Sequence, residues 1–209
     1  MSMTEQEAEM EDFYIRISQE LYPEHKDQAI DEFIEERMHS YYLNNPKIIE
    51  SPIECYHHAN ELIQVSPRCA LIMYTTAIEL FLKSVLLKPV LYGMIHNELI
   101  ANTIVDTTTG QSGFNRYNKL LSSLCLHAAN IDLSRIEGMN NKPILREAEE
   151  VQQIRNRVAH QGYIASTEEM GKAKCIATLI LDQVVEPVLN KINLVIASDN
   201  EHGIHIRKV

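Results

Sequence analysis

Residues 68–87 read RCALIMYTTAIELFLKSVLL and are apolar almost all round. Laid on a helix at about 100° per residue, Ala70, Tyr74, Ala77, Ile78, Phe81 and Val85 form one broad stripe. Thr75, Thr76, Glu79 and Lys83 gather on the opposite side. At about 20 residues the stretch has the length of a membrane span. Two charges in its middle, and the Lys88-Pro89 pair that closes it, argue instead for a central buried helix with a narrow polar strip. Such a helix must be surrounded, and what surrounds it decides the fold.

The composition points to more helices. Hydrophobic residues make up 45% and charged residues 23%, ordinary for a globular chain, and there are only seven glycines and seven prolines. With Leu, Ile, Ala and Glu abundant, helix is favoured over sheet. The formal charge of −10 argues against a protein that coats nucleic acid through its overall field. Cys55, Cys69, Cys125 and Cys175 are widely separated and form no C-x-x-C pair, so reduced thiols in a cytoplasmic protein are expected. The acidic, polar N-terminal residues lack the apolar run of a signal peptide.

Outward from the central stretch, residues 4–21 carry Met10, Phe13, Tyr14 and Ile17 at helical spacing, ending near Tyr22-Pro23. Ala29, Ile30, Phe33, Ile34 and Met38 mark a second helix that runs out at Asn44-Asn45-Pro46. Ser51-Pro52-Ile53-Glu54 has the residues of a helix start, and Ser66-Pro67 repeats the serine–proline signal. Residues 89–113 read as an excursion, a short helical piece near Ile95–Val105 followed by a loop from Asp106 to Gly113. The next helix, Phe114 to about His127, turns Tyr117, Leu120, Leu121 and Leu124 inward. A loop through Gly138 and Pro143 leads to a helix holding VQQIRNRVAHQGY (Val151–Tyr163). Ser166-Thr-Glu-Glu169 is a capping box opening a long helix with Met170, Ala173, Ile176, Ala177, Ile180, Leu181, Val184 and Val188, interrupted by Pro187. Residues 195–209 show no clear period and are expected to form a weakly docked tail. No segment alternates as a strand should. The expected fold is all-α, a bundle of about seven to eight helices.

Within the Val151–Tyr163 helix, Ile144, Ala148, Val151, Val158 and Ala159 share one side, and Arg155 points into the middle of that stripe. Arginine is rarely buried unless paired. Asn156 and His160, four apart, share another face, and Gly162 is placed to end the helix. The bland reading of Arg155 is a structural ion pair, for which Glu79 is a candidate. That of Glu79 and Lys83 is a surface i,i+4 pair, and that of His160 is a helix-end histidine. Cys55, His57 and His58 lack a second ligand pair, so no metal and no cofactor are expected.

The AIELFLKSVLL helix, a middle helix, then Arg155-Asn156 with His160 five residues after the arginine, then a final long helix, together resemble the HEPN superfamily. These are helical-bundle ribonucleases, toxins and phage-defence proteins whose motif is Arg, four to six residues, then His, often with a polar residue after the Arg. The resemblance covers residues 66–194. It leaves 1–65 as an N-terminal helical extension packing on an HEPN-like bundle, the 89–113 excursion outside it, and 195–209 as the tail. It implies metal-independent RNA cleavage in a cleft shared by two chains of a homodimer. His160 would transfer protons, Arg155 hold the scissile phosphate and Asn156 orient it, with Arg157, Lys83 and Glu79 in the surrounding shell. It also implies an antitoxin or regulatory protein as a further partner. Where some family toxins carry a modifiable tyrosine, this chain has Gly162, with Tyr163 one further on. The competing reading is a non-catalytic HEPN-like module that binds a protein or nucleotide.

Overall fold

The structure, a computed structural model, describes residues 32, 35–95, 99–100, 103–104 and 118–209. The expected helix at 4–21, the start of the next one, most of the 89–113 excursion and the first residues, Phe114–Tyr117, of the helix expected after it lie outside the described residues. What is described is mostly helical, with one small sheet.

Helix α1 (residues 35–44) turns Met38 and Tyr42 inward and ends at Asn45-Pro46, as the proline requires. A 3-10 turn, Pro46–Ile49, runs straight into α2, Glu50–Leu62. The helix start expected at Ser51-Pro52 is therefore displaced. Pro46 has already begun the helical path, Ile49 occupies the cap position without a side-chain bond, and Ser51 is an exposed interior residue. The second serine–proline signal holds: α3, Pro67–Leu80, has Ser66 as N-cap and Pro67 in its first turn.

Helix α3 does not stop at Lys88-Pro89. It widens into a π-helical segment, Phe81–Leu87, and continues as α4, Lys88–Met94, with Pro89 in its first turn. Within the π segment the pairing runs five residues back, as from the Lys88 N–H to the Lys83 carbonyl, and the buried Tyr42 hydroxyl donates to the Val85 carbonyl at 2.7 Å. The Pro67–Tyr92 run is long and apolar enough to cross a membrane, but most of it is buried inside the bundle. Ala70, Tyr74, Ala77, Ile78, Phe81 and Val85 are all fully buried, and Thr75 joins them by donating its hydroxyl to the Leu71 carbonyl.

Helix α5, Asn118–Ala129, contributes Leu121 and Cys125 to the core. A loop follows, pinned by a bridge between Glu137 and Pro143, and opens into α6, Ile144–Gln161. After Gly162 the chain enters α7, Thr167–Ile180, through the expected Ser166–Glu169 capping box. Pro187 does not break this helix. A π segment, Leu181–Val185, precedes it and α8, Glu186–Lys191, carries the proline in its first turn. Both long apolar helices thus accommodate a proline in the same way.

The expected tail is instead an antiparallel hairpin, β1 (Leu194–Asp199) with β2 (Gly203–Lys208), in which Ile196 faces Ile206. Leu194 and Ile206 are buried, so the hairpin is part of the core. Asn193 and Gly203 adopt left-handed φ values of 57° and 69° at its two bends. Asp199 accepts the Glu201 and His202 backbone N–H groups at 3.0 and 2.6 Å, closing the turn. A Cβ on Gly203 would meet the Glu50 carboxylate at 2.9 Å, so the turn lies directly on the start of α2. Met38, Tyr42, Ile49, Ile53 and Ala59 from the first 65 residues belong to the same hydrophobic cluster as the α3, α6 and α7 side chains.

Candidate functional site

Helix α6 is where polar groups intrude on the packing. Its buried residues, Ile144, Leu145, Glu147, Ala148, Val151, Gln152, Ile154 and Val158, sweep a broad arc. Arg155 falls near the middle of that arc, as the sequence reading placed it. Its guanidinium makes an ion pair through Nη2 with Oε1 of Glu79 on α3. The Gln152 amide donates to the same oxygen at 3.0 Å. The side chains of Arg155 and Glu79 are 24% and 20% exposed, so the pair is largely withdrawn from water without being sealed. Arginine carries five N–H donors. The bond to Glu79 engages one of them and leaves the fork able to grip a second anion.

The side chains of Asn156 and His160 are exposed and, among the described residues, have no hydrogen-bond or ionic partner. Ala159, expected on the packed side, is also exposed. The residues from Ala159 to Gly162 are all open to solvent, so the last turn projects beyond the elements that cover the middle of α6. Gly162 ends the helix in the left-handed conformation at φ 67°. The structure thus brings Arg155 to Glu79 and leaves His160 and Asn156 on the open surface near the helix end.

Arg157 is held by a set of contacts of its own. Its guanidinium lies 4.1 Å from the Tyr163 ring centroid and pairs with Glu169 at 3.1 Å, and the Tyr163 hydroxyl donates to the same carboxylate. Glu169 also closes the capping box. The cluster staples the end of α6 to the start of α7. Lys83 sits half-buried in the π segment of the central helix.

A further polar cluster went unread in the sequence. Glu147 on α6 is completely buried. Its Oε1 accepts the backbone N–H of Asn140 at 2.8 Å, and its Oε2 faces the Lys172 ammonium at 3.4 Å in an ionic contact without hydrogen-bond geometry. Lys172 also pairs with Glu150, which Lys142 reaches from the loop at 2.7 Å. Hydrogen bonds from Lys142 and then Lys172 hold the Glu150 carboxyl below the usual carboxylate range. Gly138 makes the arrangement fit, because a Cβ there would come within 2.6 Å of the Glu147 carboxyl carbon. The available signal was Lys172 amid the apolar positions of α7, opposite a loop whose glycine is otherwise unexplained.

In class, then, the described chain is predominantly helical with a C-terminal hairpin, and Glu79, Gln152 and Arg155 form a polar intrusion between α3 and α6. No known protein family, curated protein or solved structure matches it.

Proposed function

We propose that the chain is a metal-independent endoribonuclease of HEPN type, acting as a homodimer in toxin or defence systems. The observation that carries this reading is the Arg155 guanidinium, fixed by Glu79 in the packing face of α6, near the exposed helix end that bears His160. Cleavage of RNA without a metal joins the 2′-oxygen to phosphorus and breaks the bond to the 5′-oxygen. A base removes the 2′ proton, an acid protonates the departing oxygen, and a cation stabilises the charge that accumulates on the phosphate. Histidine suits both proton transfers, and arginine, a planar fork, suits the phosphate. One His160 per chain is few for both, so a second copy supplies the other. Asn156 orients the phosphate, and Glu79 positions Arg155 without touching RNA.

Bulk tRNA and rRNA, incubated with the protein and a chelator, should be cut, and His160→Ala and Arg155→Ala should each abolish cutting. If both variants fold and retain full activity, the proposal is wrong. The second reading, a binding module without catalysis, draws on the charge of −10, which is acidic for an RNA-handling surface. It is favoured if wild type leaves the RNA intact.

A further inference from the structure

Residues 111–146 hold five basic residues against two acidic ones, in a chain whose formal charge is −10. In the fold this stretch encloses a hollow of about 600 Å³ between α5, the loop after it and the first turn of α6. Lys119 lines it from α5 and Arg146 from α6, both exposed and, among the described residues, in no ion pair. Ser122 and Ser123, one turn along α5 from Lys119, bring hydroxyls to the same wall. The apolar part of the lining includes the buried Leu133 and Leu145, and Leu126, which is 45% exposed. Asp132 also lines the hollow and is fixed there, with Oδ1 accepting the Ser134 N–H at 3.0 Å and Oδ2 meeting the Arg135 guanidinium at 3.1 Å. No side chain caps the first turn of α6, so the positive end of its dipole adds to the field of the two cations.

We propose that this hollow binds a nucleoside monophosphate. Lys119 and Arg146 come from two different elements and hold the phosphate between them, the arginine as a planar fork and the lysine as a point charge. The serine hydroxyls of α5 donate to its remaining oxygens. Leu126 gives the base an apolar surface, and covering that leucine contributes to binding. The Asp132 carboxylate, already held in place by Ser134 and Arg135, accepts a ribose hydroxyl. The volume lies within the range of small-molecule sites. A simple anion would use the two cations but gain nothing from the leucines, and Asp132 would repel it. Arg146 and His160 are fourteen residues apart, about 21 Å along α6. The hollow is therefore a separate place from the candidate cleavage site.

The test is isothermal titration calorimetry of the full chain with each of the four ribonucleoside monophosphates, with inorganic phosphate, with adenosine, and with an oligodeoxyadenylate lacking a terminal phosphate. At least one nucleotide should bind, and inorganic phosphate and adenosine should each bind at least about tenfold more weakly, since each lacks half of the contacts. Lys119→Gln and Arg146→Gln, both at exposed positions and so expected to fold, should each weaken nucleotide binding about tenfold by removing a charged bond to the phosphate. His160→Ala should bind as wild type does. The inference is overturned if no nucleotide binds, if both glutamine variants bind normally, or if inorganic phosphate binds as tightly as the nucleotides. It is also overturned if the oligodeoxyadenylate binds more tightly than any nucleotide, which would make the surface a track for a strand. Binding is read without cleavage, so the outcome stands apart from the ribonuclease reading.

Discussion

Removing the carboxylate of Glu79 separates the structural and functional duties of Arg155. Exposed ion pairs contribute about 0.2–1 kcal/mol, whereas breaking a fully buried pair costs about 3–5 kcal/mol. With side chains 24% and 20% exposed, the Arg155–Glu79 pair lies between these limits. Glu79→Gln and Arg155→Met should each destabilise the fold by about 2 kcal/mol. The double variant should cost less than the sum, because no uncompensated charge is left, giving a coupling of about 1–2 kcal/mol. Gln152, still within reach of position 79, softens the Glu79→Gln effect. Urea unfolding of the four proteins yields the cycle. His160→Ala, at an exposed position, should stay within about 0.5 kcal/mol of wild type. On the proposed function, Glu79→Gln also lowers cleavage on the order of a hundredfold, because a small misplacement of a positioning group is expensive in rate. Additive single variants, with no coupling, would refute the claim that Glu79 holds Arg155. A Glu79→Gln protein with full cleavage would refute its positioning role.

Lys172→Met strands the buried Glu147 carboxylate and should lower stability by about 3 kcal/mol in urea unfolding, with much of the loss restored by adding Glu147→Gln. Tyr42→Phe leaves the Val85 carbonyl buried without its hydroxyl donor and should cost about 1–3 kcal/mol in urea unfolding. The depressed Glu150 carboxyl adds stability that is present in full above the ordinary carboxylate value of about 4.3 and is gone once the pH drops below its folded value. Thermal unfolding of wild type and Glu150→Gln should therefore differ near neutrality and converge in acid.

The central helix was legible because its apolar stripe is long and its neighbours leave no room for a strand reading. So were the Ser66-Pro67 start, the Ser166–Glu169 box and the Gly162 stop, each a local rule satisfied by local atoms. Where local rules compete, the sequence misled. Ser51-Pro52 resembles a helix start, but Pro46 sits upstream and starts the turn first. Pro89 and Pro187 resemble stops, but a π segment before each lets the helix continue, and Tyr42, distant in sequence, donates to the Val85 carbonyl within the first of them. The hairpin was missed because only Leu194, Ile196, Ile204 and Ile206 alternate, over strands too short to announce themselves beside a polar turn. At the candidate site, the inward aim of Arg155 followed from its phase on the helix. The contacts of Arg157 did not, since they depend on Tyr163 and Glu169 being folded back beside it.

On the proposed reading, the division of side chains along α6 bears on why two copies are needed. Arg155 and His160 are roughly 140° apart on a regular helix, so one chain does not aim both at a single phosphate. Ala159 lies one turn beyond Arg155 on nearly the same line, yet is exposed, and Ile164 in the following loop is 76% exposed. From Val158 to Thr167 the chain carries no Asp, Glu, Lys or Arg at all. Two molecules of formal charge −10 repel across most of their surfaces, but they can meet along such a neutral, partly apolar strip without placing like charges in contact. A partner covering Ala159 would bring its own His160 towards the open side of the Arg155 fork, the side Glu79 does not occupy. The same approach would withdraw the ion pair from water, strengthening the hold of Glu79 on the guanidinium as the site closes. An uncharged helix end and a half-open arginine are then two parts of one arrangement, each of little use to a bundle that only had to fold.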